Sequence, residues 1–373
     1  MSETGIRSVK KPGRTAVPAA VLLAAVLLAS AMLVSACSAS DAAVKKGTAA
    51  YEDSDYSLAL AEFDKAASQK ESDPAILNKR GMAAFGLGRY GDAAADFEAA
   101  ASLAEASDKK EVQKNAAAYY ANLGDCESRM GQSDQAMEDY TKALQLDPSL
   151  SVVYNKRGNL YFEQEQYGQA ADDFSSAIDL EKTSGDDQAL LSLYWNRAEA
   201  YRLNGDQQEA VNDYLIYGQM AGDNLDNDYY AKLASLYCGL SQFDQAKENY
   251  QKAIQLAPDD PNLYLGLAQI SLSQEDYSSA LDQLSQYISQ TENDSGADQK
   301  ALAAAYGDRG LCDQQQGDTE KALADYSKAV ELDPDYAWAY FMRGKLYQQM
   351  EDYENAAADY QKAQDLGGTD ADQ

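Results

Sequence analysis

Nine times in this chain a small residue, Gly or Ala, is followed twelve residues later by Ala and four residues after that by a large side chain. The small slot is Gly47, Gly81, Gly124, Gly158, Ala198, Ala234, Ala268, Gly310 and Gly344. Four of the eight steps between successive copies are 34 residues and the others run from 36 to 43. A fixed period of this length restricts the chain to an array of supersecondary units, because one unit cannot bury its own apolar face. Two antiparallel helices meeting at the Gly and Ala slots account for the pattern: minimal side chains let the backbones approach, and the large residue fills the space beside them. Asp147-Pro148, Ala257-Pro258 and Asp333-Pro334 end second helices, since Pro lacks the donor and clashes with the turn before it.

Stretches such as NKRGNLYFEQEQYGQAADDFSSAIDL (155–180) and FMRGKLYQQMEDYENAAADYQKAQDL (341–366) resemble the tetratricopeptide repeat (TPR), and the resemblance covers about residues 42–366. It implies an all-α, right-handed superhelical solenoid of about nine helix-turn-helix repeats, 44–366. First helices would line a concave groove and second helices the convex side. Residues 367–373 read as a disordered tail.

The N-terminus carries a second signal. Arg7, Lys10, Lys11 and Arg14 precede an apolar run from Val17 to Val34, then Ser35-Ala36-Cys37, the order of an export signal. A run of this length could also span a membrane. Leu33-Val34-Ser35-Ala36-Cys37 resembles a bacterial lipobox, which implies a lipoprotein signal peptide over 1–36 and diacylation of Cys37, with 37–43 as the lipidated Cys and a short tether. Either reading places the repeats outside the cytoplasm, on the cell membrane or an outer membrane.

Without residues 1–36, which hold four basic residues and Glu3, the 31 basic and 61 acidic side chains become 27 and 60, a net charge of −33. Nucleic acid is an unsuitable partner for such a body, because binding it requires a basic stripe. The charge keeps a large surface soluble, or attracts a basic partner. Cys126, Cys238 and Cys312 fall in repeats too far apart to bridge and read as core thiols. The chain contains no His, no phosphate-cradling Gly loop and no cofactor or metal motif, so the reading is a non-enzyme. The inserted segments near 104–114, 181–189 and 291–299 lack the ligand order of a calcium loop and read as solvated loops.

Nine versions of one unit allow covariation to be read internally. The residue before the small slot is Arg in five units, each with Asp sixteen positions on: Arg80 and Asp96, Arg157 and Asp173, Arg197 and Asp213, Arg309 and Asp325, Arg343 and Asp359. Lys46 and Glu62 replace them in the first unit. An ion pair bridging the two helices of a repeat follows, since a buried carboxylate needs a cation. Where Leu replaces Arg, the second position is Asn249 or Gln283 in two units but Asp139 in the third, an exception without an explanation at this level.

Ten of the 27 tyrosines recur at the large slot or the mid-unit turn, fixed repeat positions that are explained by packing. Phe85, Phe162, Trp195, Trp338 and Phe341 instead occupy positions that line the groove in the resembled family. They are candidate partner anchors, or else packing between neighbouring first helices. The clamp with which eukaryotic members of that family grip a carboxyl-terminal peptide is incomplete: Asn159 matches its Asn, but Asn155 stands in place of its first Lys, and Asp228 and Lys232 stand in place of a second Lys and an Arg. The expected function is a membrane-anchored, extracytoplasmic scaffold that binds a protein or peptide through its groove; the alternative is an adaptor lipoprotein recruiting cell-wall hydrolases or assembling envelope or secretion machinery.

Overall fold

A computed structural model describes residues 39–70 and 72–368, and all regular structure among them is helical. Helix α1 covers 39–52, followed by α2 (Tyr56–Ala67), α3 (Pro74–Gly86), α4 (Tyr90–Glu105), the short α5 (Lys110–Gln113), α6 (Ala116–Arg129), α7 (Ser133–Leu146) and α8 (Ser151–Glu163). These form one compact unit, ending at Gln164. The second unit begins at Glu165 and holds α9 (Tyr167–Ser184), α10 (Asp187–Asn204), α11 (Gln207–Ala221), α12 (Asn227–Gly239), α13 (Phe243–Leu256), α14 (Pro261–Ser273), α15 (Tyr277–Thr291), α16 (Gln299–Gln315), α17 (Thr319–Leu332), α18 (Ala337–Gln349) and α19 (Tyr353–Asp365). Within each unit a helix packs chiefly on its neighbours in the chain, as a linear repeat array requires.

The small and large slots meet inside each hairpin. A Cβ added at Gly81 would lie 2.8 Å from the Phe97 ring, so the α3 backbone rests directly on that aromatic face. Ala59, Ala93, Ala136, Ala210, Ala280 and Ala322 are fully buried, as are Phe63, Tyr214 and Tyr326. The first helix ends the same way in every repeat. The residue seven after the small slot turns through the left-handed region, as Gly at 88, 131, 205 and 317 and as a side-chain-bearing residue at Ser54, Glu165, Ser241, Glu275 and Glu351, with φ of 58° to 63°. The next N–H then reaches back to a carbonyl of the finishing helix, for example Asp276 N to Ser271 O at 2.8 Å. In several repeats that residue is Asp and caps the second helix: Asp55 accepts from Leu58 N–H and Asp276 from Ser279 N–H.

Two boundaries differ from the sequence reading. Residues 39–43 are helical rather than tether, and Ser40 and Ala43 are buried, because α1 packs against α2 and α3 through Ala66, Ala67 and Ile76. Of the inserted segments, 292–298 is an exposed loop as expected, but the other two are partly helical. The segment 181–189 extends α9 and α10, each 18 residues long, and 104–114 carries α5. Extra polar residues cost less as helical turns, with backbone hydrogen bonds made, than as a long irregular crossing. Residues 1–36, read from sequence as an export signal, Cys37 and residues 369–373 lie outside the described residues.

Candidate partner-binding site

The first helices of the N-terminal unit, α1, α3, α6 and α8, place the residues one and four after the small slot on a common side: Thr48 and Tyr51, Met82 and Phe85, Asp125 and Ser128, then Asn159. Spacing of three and four keeps such residues on one helical face. Along this face runs a row of cavities. The largest, ≈ 490 Å³, is lined by Phe85, Asp125, Ser128, Tyr140, Lys156 and Asn159 among others. The next, ≈ 190 Å³, shares Phe85 and Asp125 and adds Tyr51, Met82, Phe97 and Asn122. Tyr51 and Met82 continue into a third with Thr48, Phe63 and Lys79.

Polar groups cross this face from one repeat to the next. Lys156 on α8 donates to both oxygens of Asp125 on α6, at 2.6 and 2.7 Å, and the Tyr140 hydroxyl donates to Asp125 at 2.7 Å. Burial, then the adjacent Asp125 carboxylate, push the Tyr140 phenol well above its ordinary range, so it stays a donor. Asn122 donates to Asn78 on α3 at 2.9 Å. The result is an aromatic and thioether floor with fixed donors and acceptors along one edge, a surface suited to an extended chain with both apolar and polar groups.

Of the aromatic anchors named from sequence, Phe85 lines two of these cavities and makes an edge contact with Tyr90, ring centroids 5.2 Å apart. Phe162 is half-buried on α8. In the C-terminal unit Trp195 packs against Tyr214 and Tyr217, at 5.2 and 4.9 Å, with the Lys232 ammonium 4.8 Å from its ring. Trp338 stacks on Tyr336 at 5.7 Å and meets Tyr326 edge-on, while Phe341 lies 5.7 Å from Tyr360 and beside Lys345. All three are half-buried, each with one face inside its own repeat pair.

The arginines are held in a recurring cage. Arg80, Arg197, Arg309 and Arg343 each give Nε and Nη2 to the two carboxylate oxygens of Asp96, Asp213, Asp325 and Asp359, at 2.5 to 2.9 Å. Lys46 meets Glu62 at 2.6 Å. Arg157 lies in the first unit, where Nη1 donates to Thr141 Oγ1 at 2.9 Å, and Asp173 lies in the second, buried. Two parts of the cage were missed in the sequence. Tyrosines three before and four after the Arg flank the guanidinium, as Tyr194 and Tyr201 do around Arg197. The remaining Nη1 reaches the residue after the large slot of the preceding repeat: Asp64 from Arg80, Ser175 from Arg197 and Ser327 from Arg343. The Tyr spacing was a visible signal; the third acceptor becomes recognisable only when adjacent repeats are stacked.

Asp139, which has no Arg opposite it, hydrogen-bonds Glu127 on α6. Burial, then that carboxyl neighbour, push Glu127 up to about 8, so the pair shares a proton. Cys126, Cys238 and Cys312 are free, and burial raises the Cys126 and Cys312 thiols to about 12. Among the described residues, no group of three or more His, Cys, Asp or Glu could hold a metal, and no helix is long and apolar enough to cross a membrane.

Tetratricopeptide repeat family models match residues 44–109, 117–150, 155–217, 239–306, 314–351 and 339–366. No curated protein matches the chain. Similar solved structures include MamA (22% identity over 46% of this chain and 94% of that one, TM-score 0.41) and MamA 41-end from Desulfovibrio magneticus RS-1 (21%, 49% and 96%, TM-score 0.43). Another is YrrB, described as a TPR protein with an unusual peptide-binding site (19%, 54% and 95%, TM-score 0.43).

Proposed function

Because the chain belongs to the tetratricopeptide repeat family, we propose that it is a scaffold that binds a protein or peptide partner along the row of cavities on α1, α3, α6 and α8. The observation that carries this is the sharing of Phe85 and Asp125 between adjacent cavities, which makes the row one continuous surface. An extended segment could bury apolar side chains on Tyr51, Met82 and Phe85 while its backbone meets Asn122, Lys156 and Asn159. The order of basic residues, apolar run and Cys37 at the N-terminus supports lipid anchoring and a location outside the cytoplasm. With helix already present at residue 39, the first repeat would then stand close to the bilayer surface.

A photo-crosslinking amino acid placed at Phe85 should trap the partner in intact cells, whereas the same group at Tyr353, which is 67% exposed and belongs to the other compact unit, should not. Equal trapping at both positions, or at Tyr353 alone, would remove the assignment of this face.

A further inference from the structure

A second cleft, separate from the row of cavities, lies between α4, α6 and α7 on the other side of α6 from Asp125. Its volume is ≈ 520 Å³, and its lining includes Glu98, Tyr120, Leu123, Glu127, Glu138 and Asp139. Each of four of these residues occupies a slot of the arginine cage. Leu123 stands where Arg80, Arg197, Arg309 and Arg343 stand in their repeats, directly before the small slot. Asp139 stands where Asp96, Asp213, Asp325 and Asp359 accept two guanidinium hydrogen bonds. Glu98 follows the large residue Phe97, the slot whose occupant accepts Nη1 from the next repeat at Asp64, Ser175 and Ser327. Tyr120 is three residues before Leu123, the slot of Tyr194, Tyr306 and Tyr340, all of which have the guanidinium within 5.2 to 5.6 Å of the ring centroid.

What is missing is the guanidinium itself. In the last repeat Tyr340 has two cations near its ring, Arg343 at 5.5 Å and Lys362 at 5.9 Å; Tyr120 has only the counterpart of the second, Lys142 at 5.7 Å. Leu123 has no donor to offer Asp139 and packs with Ala93, Phe97 and Cys126. The other two repeats with Leu in this slot have also lost the carboxylate, carrying Asn249 and Gln283. Asp139 keeps its carboxylate and meets Glu127 instead, leaving Glu127 Oε2 buried without a hydrogen-bond partner.

We infer that this cleft is a receptor for an arginine side chain presented by a partner polypeptide, which would complete in trans the cage that four other repeats complete in cis. The guanidinium would span Asp139 and Glu98 against Tyr120, and the proton shared by Glu127 and Asp139 would leave as it enters. Free arginine would have to bring a charged α-ammonium and α-carboxylate to the cleft, and the carboxylate finds no open cation there, since Lys142 is already engaged by Glu105 at 2.9 Å. A peptide-linked arginine carries no such charge. Lysine lacks the planar fork that the two-oxygen acceptor requires.

The test uses the mature chain and three probes, a capped Gly-Arg-Gly peptide, its Lys counterpart and free L-arginine, titrated while amide shifts of α4, α6 and α7 are followed by NMR. The Arg peptide should bind at least about tenfold more tightly than either other probe, release a proton at pH 7, and lose about tenfold or more in affinity in Asp139→Asn. Leu123→Arg supplies the side chain internally and should raise Tm while abolishing peptide binding. Equal binding of the Lys peptide would reduce the cleft to a diffuse acidic surface, and equal binding of free arginine would remove the polypeptide source. A Leu123→Arg variant that is destabilised, or that still binds the Arg peptide, would overturn the assignment of the cleft as a vacant cage.

Discussion

Arg197 clamps Asp213 from the facing helix of its own repeat through two parallel hydrogen bonds, Nε to Oδ2 at 2.6 Å and Nη2 to Oδ1 at 2.7 Å, and passes its third donor to Ser175 of the preceding repeat. One side chain thereby fixes both the hairpin and its seat on the neighbour. Removing the guanidinium alone leaves Asp213, only 3% exposed, as a buried charge without its cation. Arg197→Leu should therefore cost about 3–5 kcal/mol, and Arg197→Leu with Asp213→Asn should recover much of it. Urea unfolding of the two variants and the parent checks this; additive effects would mean the pair does not act as a unit.

Gly307 sits beneath Trp338. A Cβ there would lie 2.9 Å from Cζ3 of the indole and 3.2 Å from the Tyr336 ring. Gly307→Ala should destabilise the C-terminal unit by about 1–3 kcal/mol and shift the tryptophan emission, because the stacked pair must move. Trp338→Ala should cost about 1.5–3 kcal/mol through the ring contacts it loses, less than for a fully buried aromatic because one face is open. Thermal melts followed by fluorescence and far-UV circular dichroism separate local displacement from unfolding.

Glu351 holds a left-handed turn with φ of 63°, in the slot that four other repeats give to Gly. Replacing it by Gly relieves steric strain of about 1–2 kcal/mol at some entropic cost, so a net gain of about 0.5–1 kcal/mol is expected. Alanine at the same position should give no gain. Denaturant midpoints of the two variants decide between strain relief and side-chain removal.

The carboxyl pair makes stability depend on pH in a definite direction. Glu127 is raised from 4.5 to about 8, first by burial and then by Asp139, Glu138 and Glu98, so the folded chain holds a proton that the unfolded chain has released between those values. Stability should be greatest below pH 4.5 as far as this group is concerned, and should fall as pH rises towards 8. The slope is bounded by about 1.4 kcal/mol per pH unit for one proton and is smaller here because the group is partly solvent-exposed. Glu127→Gln should flatten the dependence over pH 5–8 in chemical unfolding, while a slope unchanged by the substitution would place its origin elsewhere.

The proposed anchor has its own test. If Cys37 carries the lipid, Cys37→Ser should move the protein out of the membrane fraction or leave the signal segment attached, because acyl chains would then supply the retention. Mass spectrometry of the N-terminal fragment, read beside fractionation, checks both outcomes. Normal processing with unchanged membrane retention would remove the lipid claim.

The linear pattern was enough to determine the repeat, because Gly81 with Phe97 or Ala93 with its turn is set by contacts within about twenty residues and repeats nine times over. The spacing of sixteen between Arg and Asp is legible for the same reason: two antiparallel helices joined by a fixed turn bring those positions opposite each other whatever the rest of the chain does. Tertiary structure decided the rest. Asp139 turns to Glu127 rather than to a missing Arg, since a buried carboxyl takes whichever donor lies within reach and here that donor is a shared proton. Phe85 opens onto cavities whereas Trp195 and Trp338 turn one face onto neighbouring tyrosines, although sequence gives all three as groove-lining positions. Which surface a large ring shows depends on the rings packed beside it, Tyr214 and Tyr217 of its own repeat for Trp195 and Tyr336 with Tyr326 of the preceding repeat for Trp338, and on rotamers that residue spacing alone does not set.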